Sequence, residues 1–163
     1  MKIFSLLIAG LVCLSSCYSF KDVSIPPEVK TVRINYIENR ATYINPQLAP
    51  QLTDRIRQKI NNQTRLTLIT GEDAHYDING AITGYSVSTA AISSQTAATN
   101  RLTVTVHIIF KNRLDEKANF EADVTRNFDF NANLSLQQAE AQLSDDILKN
   151  MTDEIFNRIF SNW

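Results

Sequence analysis

Residue types that build chemical centres are scarce in this sequence. It holds two cysteines, two histidines and four glycines among 163 residues, and both cysteines, Cys13 and Cys17, lie near the N-terminus. The chain beyond Cys17 therefore has no thiol for a disulfide, a zinc cluster or a cysteine nucleophile. Four glycines are too few for phosphate-cradling loops, and no Gly-x-Ser-x-Gly elbow is present. These absences argue against the commoner enzyme and metal-site classes.

An excess of charge of either sign is also missing. The formal net charge is -1, and it becomes about -2 without residues 1–16, which contain Lys2. A nearly neutral domain has no basic field to attract phosphate backbones. Nucleic-acid binding is therefore not expected.

The N-terminus has the layout of an export signal. Met1-Lys2 precedes an apolar run from Ile3 to Leu14, which is too short to span a bilayer comfortably. The run ends in Leu14-Ser15-Ser16-Cys17, which resembles a bacterial lipobox. Cys13 fits worse because bulky Val12 precedes it. An ordinary secretory signal or a short anchor helix remains the alternative.

This pattern predicts three parts: a lipoprotein signal peptide over 1–16, a lipidated tether over 17–24 and one domain over 25–163. Cys17 would carry the acyl chains, palmitate among them, and several chains give lasting membrane attachment. Tyr18 stands where an aspartate would be the familiar inner-membrane retention signal. We therefore expect an outer-membrane, lipid-anchored protein.

Periodicity in the first half predicts one helix among short strands. Alternating apolar residues predict a half-buried strand over 32–36, and a stripe at every fourth residue predicts a helix that begins at Asn45-Pro46 or nearer Pro50 and ends near residues 61–62. Short strands should follow near 66–69 and from Tyr76. A change of apolar parity at Gly84 predicts a bulge there.

The second half contains the clearest elements. Residues 86–100 are mostly Ser, Thr and Ala, which is typical of a flexible hairpin tip; a low-charge loop inserted into a partner's lumen or touching lipid is the alternative. Strict alternation over 102–110 and 120–130 predicts an antiparallel hairpin with one buried face. Ser135 with Gln138 forms a capping-box pattern before a helix of about 25 residues.

These elements predict the fold class. We expect an α+β two-layer sandwich, with a four- to five-stranded, mainly antiparallel sheet covered by two helices on one face. No internal repeat or second hydrophobic core indicates another domain.

The ionisable residues give little support to a catalytic or metal site. His107 stands alone on the polar side of a strand, and the spacing of Asp73, His75 and Asp77 is an unspecific metal pattern. The acidic pairs at 115–116 and 145–146 are typical of solvated turns and helix surfaces. We expect no enzyme, no metal and no cofactor.

Three stretches carry a resemblance to a known family: residues 24–32, which begin Ser-Ile-Pro-Pro-Glu-Val, residues 100–104, and residues 153–163 at the C-terminus. Together they resemble the lipopolysaccharide-assembly lipoprotein LptE family in its Bacteroides-type form. The resemblance implies a two-layer fold, a place on the periplasmic face of the outer membrane, and a partner, the outer-membrane β-barrel LptD, whose lumen the lipoprotein plugs. It also implies that lipopolysaccharide is inserted into the outer leaflet and is bound by the lipoprotein itself. The residues by themselves leave open whether the domain faces the periplasm or the cell exterior.

Phosphate chemistry suggests candidate ligand residues. Lipopolysaccharide carries phosphates, which favour basic side chains near an apolar surface. Arg101, Lys111 and Arg113, at or near the ends of the strongest strand, are the candidates; plain solubilising charges are the alternative. Two other functions stay open: a stand-alone periplasmic lipid- or glycolipid-binding lipoprotein, and a lipoprotein activator of a cell-wall synthase.

Overall fold

The structure is a computed structural model that describes residues 25–91 and 98–161. Within these ranges the chain forms six strands, two α-helices and one short 3-10 turn. In chain order they are β1 (Thr31–Ile34), β2 (Glu38–Asn39), α1 (Leu48–Gln63), β3 (Thr67–Leu68), β4 (Tyr76–Ala91), β5 (Thr99–Asn112), the 3-10 turn (Glu116–Ala118), β6 (Phe120–Asn131) and α2 (Leu136–Phe160).

The sheet is mixed, in the order β3-β1-β4-β5-β6, with β2 paired to β4 beside β1. β4, β5 and β6 form an antiparallel meander, whereas β1 pairs parallel with both β3 and β4, and β2 pairs parallel with β4. The α+β two-layer class is confirmed. The sheet has six strands and more parallel pairing than the sequence predicted, because short β1, β2 and β3 pair with partners far along the chain.

Helix α1 begins at Leu48, between the two predicted starts. Pro50 is the third residue of the helix, where a backbone N–H has no partner within the helix, so its missing donor costs little. The Asn45 side chain accepts a hydrogen bond from the Gln47 backbone N–H at 3.0 Å just before the helix. The stripe facing the sheet is buried as predicted: Leu48, Leu52, Ile56 and Ile60.

β1 and β4 end at other residues than the sequence predicted. β1 ends at Ile34, and the chain then leaves the sheet so that Ile37 is buried while Tyr36 is 55% exposed. β4 and β5 run through residues 86–91 and 99–100, so those parts of the predicted loop are paired strand. The remaining part, 92–97, lies outside the described residues. The predicted bulge is confirmed, since the register shifts between Ile82 and Gly84.

Helix α2 has the predicted start and length. Ser135 Oγ accepts from the Gln138 backbone N–H at 3.3 Å, and the Gln138 side chain accepts from the Ser135 backbone N–H at 3.0 Å. Its buried side meets strands β4–β6 and α1 in one core. Arg126, the one charged residue on the helix-facing side of β6, pairs with Glu154 of α2. Neither this helix nor α1, the two α-helices of the described ranges, is long and apolar enough to cross a membrane.

Candidate functional site: the polar face of the sheet

The face of the sheet turned away from the helices is polar. Successive side chains along a strand point to opposite faces. The buried even-numbered residues of β5 therefore point to the helices, and the odd-numbered residues point away from them. Four side-chain pairs then join β5 to β6 on this open face, which we call the polar ladder. Its pairs are Arg101–Asp129 at 2.7 and 2.9 Å, Thr103–Asn127 at 2.9 Å, Thr105–Thr125 at 3.0 Å and His107–Asp123 at 2.7 Å.

A partly buried ion pair lies on the same face where β1 meets β4. Arg33 donates two hydrogen bonds to Asp77, at 2.8 and 2.9 Å, and the Asn35 amide donates a third at 2.9 Å. The Arg33 guanidinium, helped by the Asn35 amide, holds the pKa of the Asp77 carboxyl below its ordinary value despite the opposing effect of burial. Asp77 therefore links β4 to β1.

Asp77 gives a pH-dependent contribution to stability. A carboxyl whose pKa is lowered by folding stabilises the protein fully above its ordinary pKa of 3.8, and this contribution is lost as the pH falls through the lower folded value. We expect Asp77→Asn to flatten the fall in the free energy of unfolding between about pH 6 and about pH 3. Urea unfolding at the two pH values measures this.

Asp129→Asn is the matched control for Asp77→Asn. Arg101 also lowers the pKa of Asp129, but this pair is exposed to solvent, which screens it. Its removal should change the pH dependence less than removal of Asp77 does. Equal effects of the two substitutions would contradict the importance given to the Arg33–Asp77 pair.

The three residues of the unspecific metal pattern do not act together. His75 Nδ1 accepts a hydrogen bond from the Lys30 backbone N–H at 3.1 Å, and Asp77 is held by Arg33. In residues 25–91 and 98–161, no group of three or more His, Cys, Asp or Glu is placed to hold a metal ion. His75 instead bonds to Lys30, just before β1, and Asp77 bonds to Arg33 within β1, so both residues link this part of the chain to β4.

A shallow hollow of about 540 Å³ opens on the polar face near its centre. Lys111 lies at its rim, opposite Asp77 in the strand register, beside Tyr36, Arg40 and His107. Arg40 is paired with Glu38 at 2.7 Å, so much of the local positive charge is already balanced. Lys111 forms no ion pair with any part of the chain that the structure describes.

The structure separates the predicted phosphate ligands into two groups. Arg101 and Lys111 are ten residues apart on β5, which places them about 33 Å apart along the strand. Arg113 follows β5 at the Lys111 end, where its backbone N–H bonds to His75. One phosphate cannot contact all three, and Arg101 is already in a two-point pair with Asp129. Their binding role stays a prediction, for which Lys111 and Arg113 are the better placed.

Sequence reasoning missed Tyr36 and Arg40 as neighbours of Lys111. Tyr36 was assigned to a buried strand face, whereas it is one of the larger exposed hydrophobic side chains. Arg40 lies directly after β2, a strand of two residues that carries no periodic signal. Only the pairing of β2 with β4 brings Arg40 to the hollow, and that pairing joins residues about 40 positions apart.

A second polar cluster joins the two layers on the helix-facing side of β4. The Glu140 carboxylate on α2 accepts hydrogen bonds from Tyr85 Oη at 2.7 Å, Asn45 Nδ2 at 3.2 Å and Tyr43 Oη at 3.3 Å. Tyr43 also stacks on Tyr85, with ring centroids 5.4 Å apart. Burial and the nearby Glu140 raise the pKa of Tyr85 well above its ordinary value, so its phenol remains a donor. This cluster is a structural tie between α2, β4 and the loop before α1.

Removal of the Tyr85 hydroxyl tests this tie. A hydrogen bond to a charged group contributes about 1.5–3 kcal/mol, so Tyr85→Phe should lower the free energy of unfolding by about that amount. Tyr43→Phe is the control, because its bond to Glu140 is longer and the ring is 39% exposed. Urea unfolding should show the larger loss for Tyr85→Phe, and the reverse order would contradict this assignment.

Comparison with solved structures supports the two-layer fold. The chain is similar to a minor lipoprotein from Acinetobacter baumannii, with a TM-score of 0.55, 16% identity and coverage of 82% of this chain and 94% of the other. It is similar to a Xanthomonas campestris protein (TM-score 0.54, 9% identity, 85% and 88% covered). A third similar structure is a putative neuraminyllactose-binding hemagglutinin homolog from Helicobacter pylori (TM-score 0.53, 9% identity, 88% of each chain).

At these identities the similarities show the fold alone: a two-layer α+β domain of a kind that a bacterial lipoprotein also has. No curated protein matches the chain in sequence. The family model described as LptE, lipopolysaccharide-assembly, matches residues 29–159, which is most of the described domain. The chain belongs to this lipopolysaccharide-assembly LptE family.

Proposed function

We propose that this chain is an outer-membrane lipoprotein that acts as plug and assembly subunit of the lipopolysaccharide translocon. It is cleaved after residue 16, lipidated on Cys17 and placed on the periplasmic face, with residues 17–24 as the tether. Its partner is the outer-membrane β-barrel LptD, and the pair helps to insert lipopolysaccharide into the outer leaflet. The family match over residues 29–159 is the observation that carries this proposal.

The open face of the sheet supports the plug role physically. The interior of a large outer-membrane barrel is polar, so a plug needs a polar surface that forms hydrogen bonds. The polar ladder presents threonine, asparagine and charged side chains in a hydrogen-bonded array over about 20 Å of β5. Within the array the charges of Arg101 and Asp129 neutralise each other, which lowers the charge that the face brings to a polar wall.

The lipid-carrier alternative receives less support. A carrier needs an apolar pocket between the layers, whereas the described helices and strands fill this space with side chains that are 0–1% exposed, including Leu52, Leu102 and Met151. The hollows at Glu140 and on the polar face are open to solvent and are lined by both polar and apolar side chains. No observation on the described residues specifically favours a cell-wall synthase as the partner.

Depletion of the chain in the cells that make it tests the proposal. We expect newly made lipopolysaccharide to accumulate inside the envelope, with a loss of antibody-accessible lipopolysaccharide on intact cells. Total outer-membrane protein serves as the control for general envelope damage. Unchanged surface lipopolysaccharide after full depletion would contradict the proposed function.

A further inference from the structure

One edge of the sheet is unpaired over the second half of β4. β1 and β2 pair with β4 only as far as Ile82, whose carbonyl accepts the Arg40 backbone N–H at 2.9 Å. Residues 85–89 and Ala91 pair with β5 on one side alone, with a register shift between Thr89 and Ala91. We call this stretch the free edge of β4.

The register identifies the backbone groups that the free edge presents. Ile78 and Ile82 accept bonds from the β1–β2 side, so before the bulge the even residues of β4 point away from β5. The bulge between Ile82 and Gly84 reverses this parity. The N–H and C=O groups of Tyr85, Val87 and Thr89 therefore point outward, and no other described backbone or side chain bonds to them.

The free edge lacks the charged residues and prolines that commonly prevent strand addition. Register shifts between Ile82 and Gly84 and between Thr89 and Ala91 bound it, and the stretch between them is regular. Exposed edges are usually protected by charged residues, proline or short length. The sequence from Ile78 to Asn100 contains no charged residue and no proline. The opposite edge strand, β6, carries four charged residues: Glu121, Asp123, Arg126 and Asp129. Charged residues thus protect the β6 edge and are missing from the free edge of β4.

Neither this chain's own tether nor a second copy fits the free edge. Ile25 lies beside Tyr76 at the start of β4, about 30 Å from Tyr85, and the proposed tether 17–24 spans about 28 Å at most. A seven-residue edge about 23 Å long and about 10 Å thick buries on the order of 230 Å² per partner. A stable dimer needs roughly 800 Å² per partner, so the edge alone cannot hold two copies together.

We propose that the free edge of β4 is a strand-addition site for an extended, uncharged segment of the barrel partner. This inference rests on the proposed function, which supplies a partner already held by other contacts. Three outward-facing residues offer six backbone hydrogen-bonding groups, and added strands use such groups for affinity. The strands of a closed barrel wall have no free edges, so the segment must come from a loop or terminus of the partner.

Hydrogen exchange of the detergent-purified complex tests the site at single residues. The amides of Val87 and Thr89 should exchange about tenfold slower or more in the complex than in the isolated chain. The amides of Ser86 and Ser88, which face β5 in both states, are internal controls and should not change. Unchanged exchange at Val87 and Thr89 in an intact complex would overturn the inference and leave the proposed function standing.

A proline substitution provides a second test. Val87→Pro removes one outward N–H, which an edge strand tolerates, and should weaken co-purification of the partner about tenfold or more. Glu121→Pro, at an outward position of β6 outside the polar ladder, is the matched control and should leave the complex intact. Equal partner recovery with both variants would overturn the inference. Failure of the unsubstituted chain to bind any barrel would overturn the proposed function and this inference together.

Discussion

Ile108→Ala is expected to lower the free energy of unfolding by about 2–5 kcal/mol. Ile108 is fully buried on the helix-facing side of β5, and its side chain fills the space above Gly80, which has none of its own. Truncation removes buried apolar surface and leaves a cavity between sheet and helices. Because β4 and β6 both flank this position, the surrounding strands can collapse only partly into the space.

Ile109→Ala is the matched control, since the same residue type follows directly on the opposite face. Ile109 is half-buried at the hollow of the polar face, and neither of the two described helices lines that hollow. We expect a loss of less than about 2 kcal/mol. Urea unfolding of the two variants measures the difference, and equal losses would contradict the two-layer arrangement with one open face.

The second large effect is expected at the lipid anchor. Cys17→Ser should abolish incorporation of labelled palmitate, leave residues 1–16 attached and prevent recovery of the chain in the outer-membrane fraction. Each buried methylene contributes about 0.8 kcal/mol, so the loss of two or three acyl chains removes most of the membrane affinity. Labelling, intact mass and membrane fractionation are the measurements.

Cys13→Ser provides the control for the anchor. It removes the other cysteine of the N-terminal segment, which sits four residues earlier within the apolar run. Labelling, cleavage and fractionation should all match the unsubstituted chain. Label retained by Cys17→Ser, or lost from Cys13→Ser, would contradict the assignment of the processed cysteine.

Patterns among neighbouring residues correctly predicted the elements that depend on contacts close in sequence. The capping box at Ser135, the length of α2 and the bulge at Gly84 depend on residues close in sequence, and all three are confirmed. The β5–β6 hairpin is confirmed for the same reason, since its alternation is strong and its connection short. The end of β4 was missed because its small Ser, Thr and Ala residues show no alternation of apolar and polar residues. These residues form a strand because they pair with β5.

Pairing between distant segments could not be predicted from one sequence. Arg33 and Asp77 are 44 positions apart, and only parallel pairing of β1 with β4 makes them partners. Without that contact, Asp77 was considered only as part of a metal pattern. Tyr36 was placed on a buried face by alternation, but β1 ends two residues earlier and Ile37 takes the buried position.

The most direct test of the central claim is the composition of the complex that the full chain forms in its own membrane. Purification in mild detergent through a tag after Trp163, followed by mass spectrometry, should recover one large outer-membrane β-barrel in equal amount with this chain. The Cys17→Ser variant should recover much less of it. Purification of the lipidated chain alone, or together with an inner-membrane cell-wall synthase, would contradict the claim.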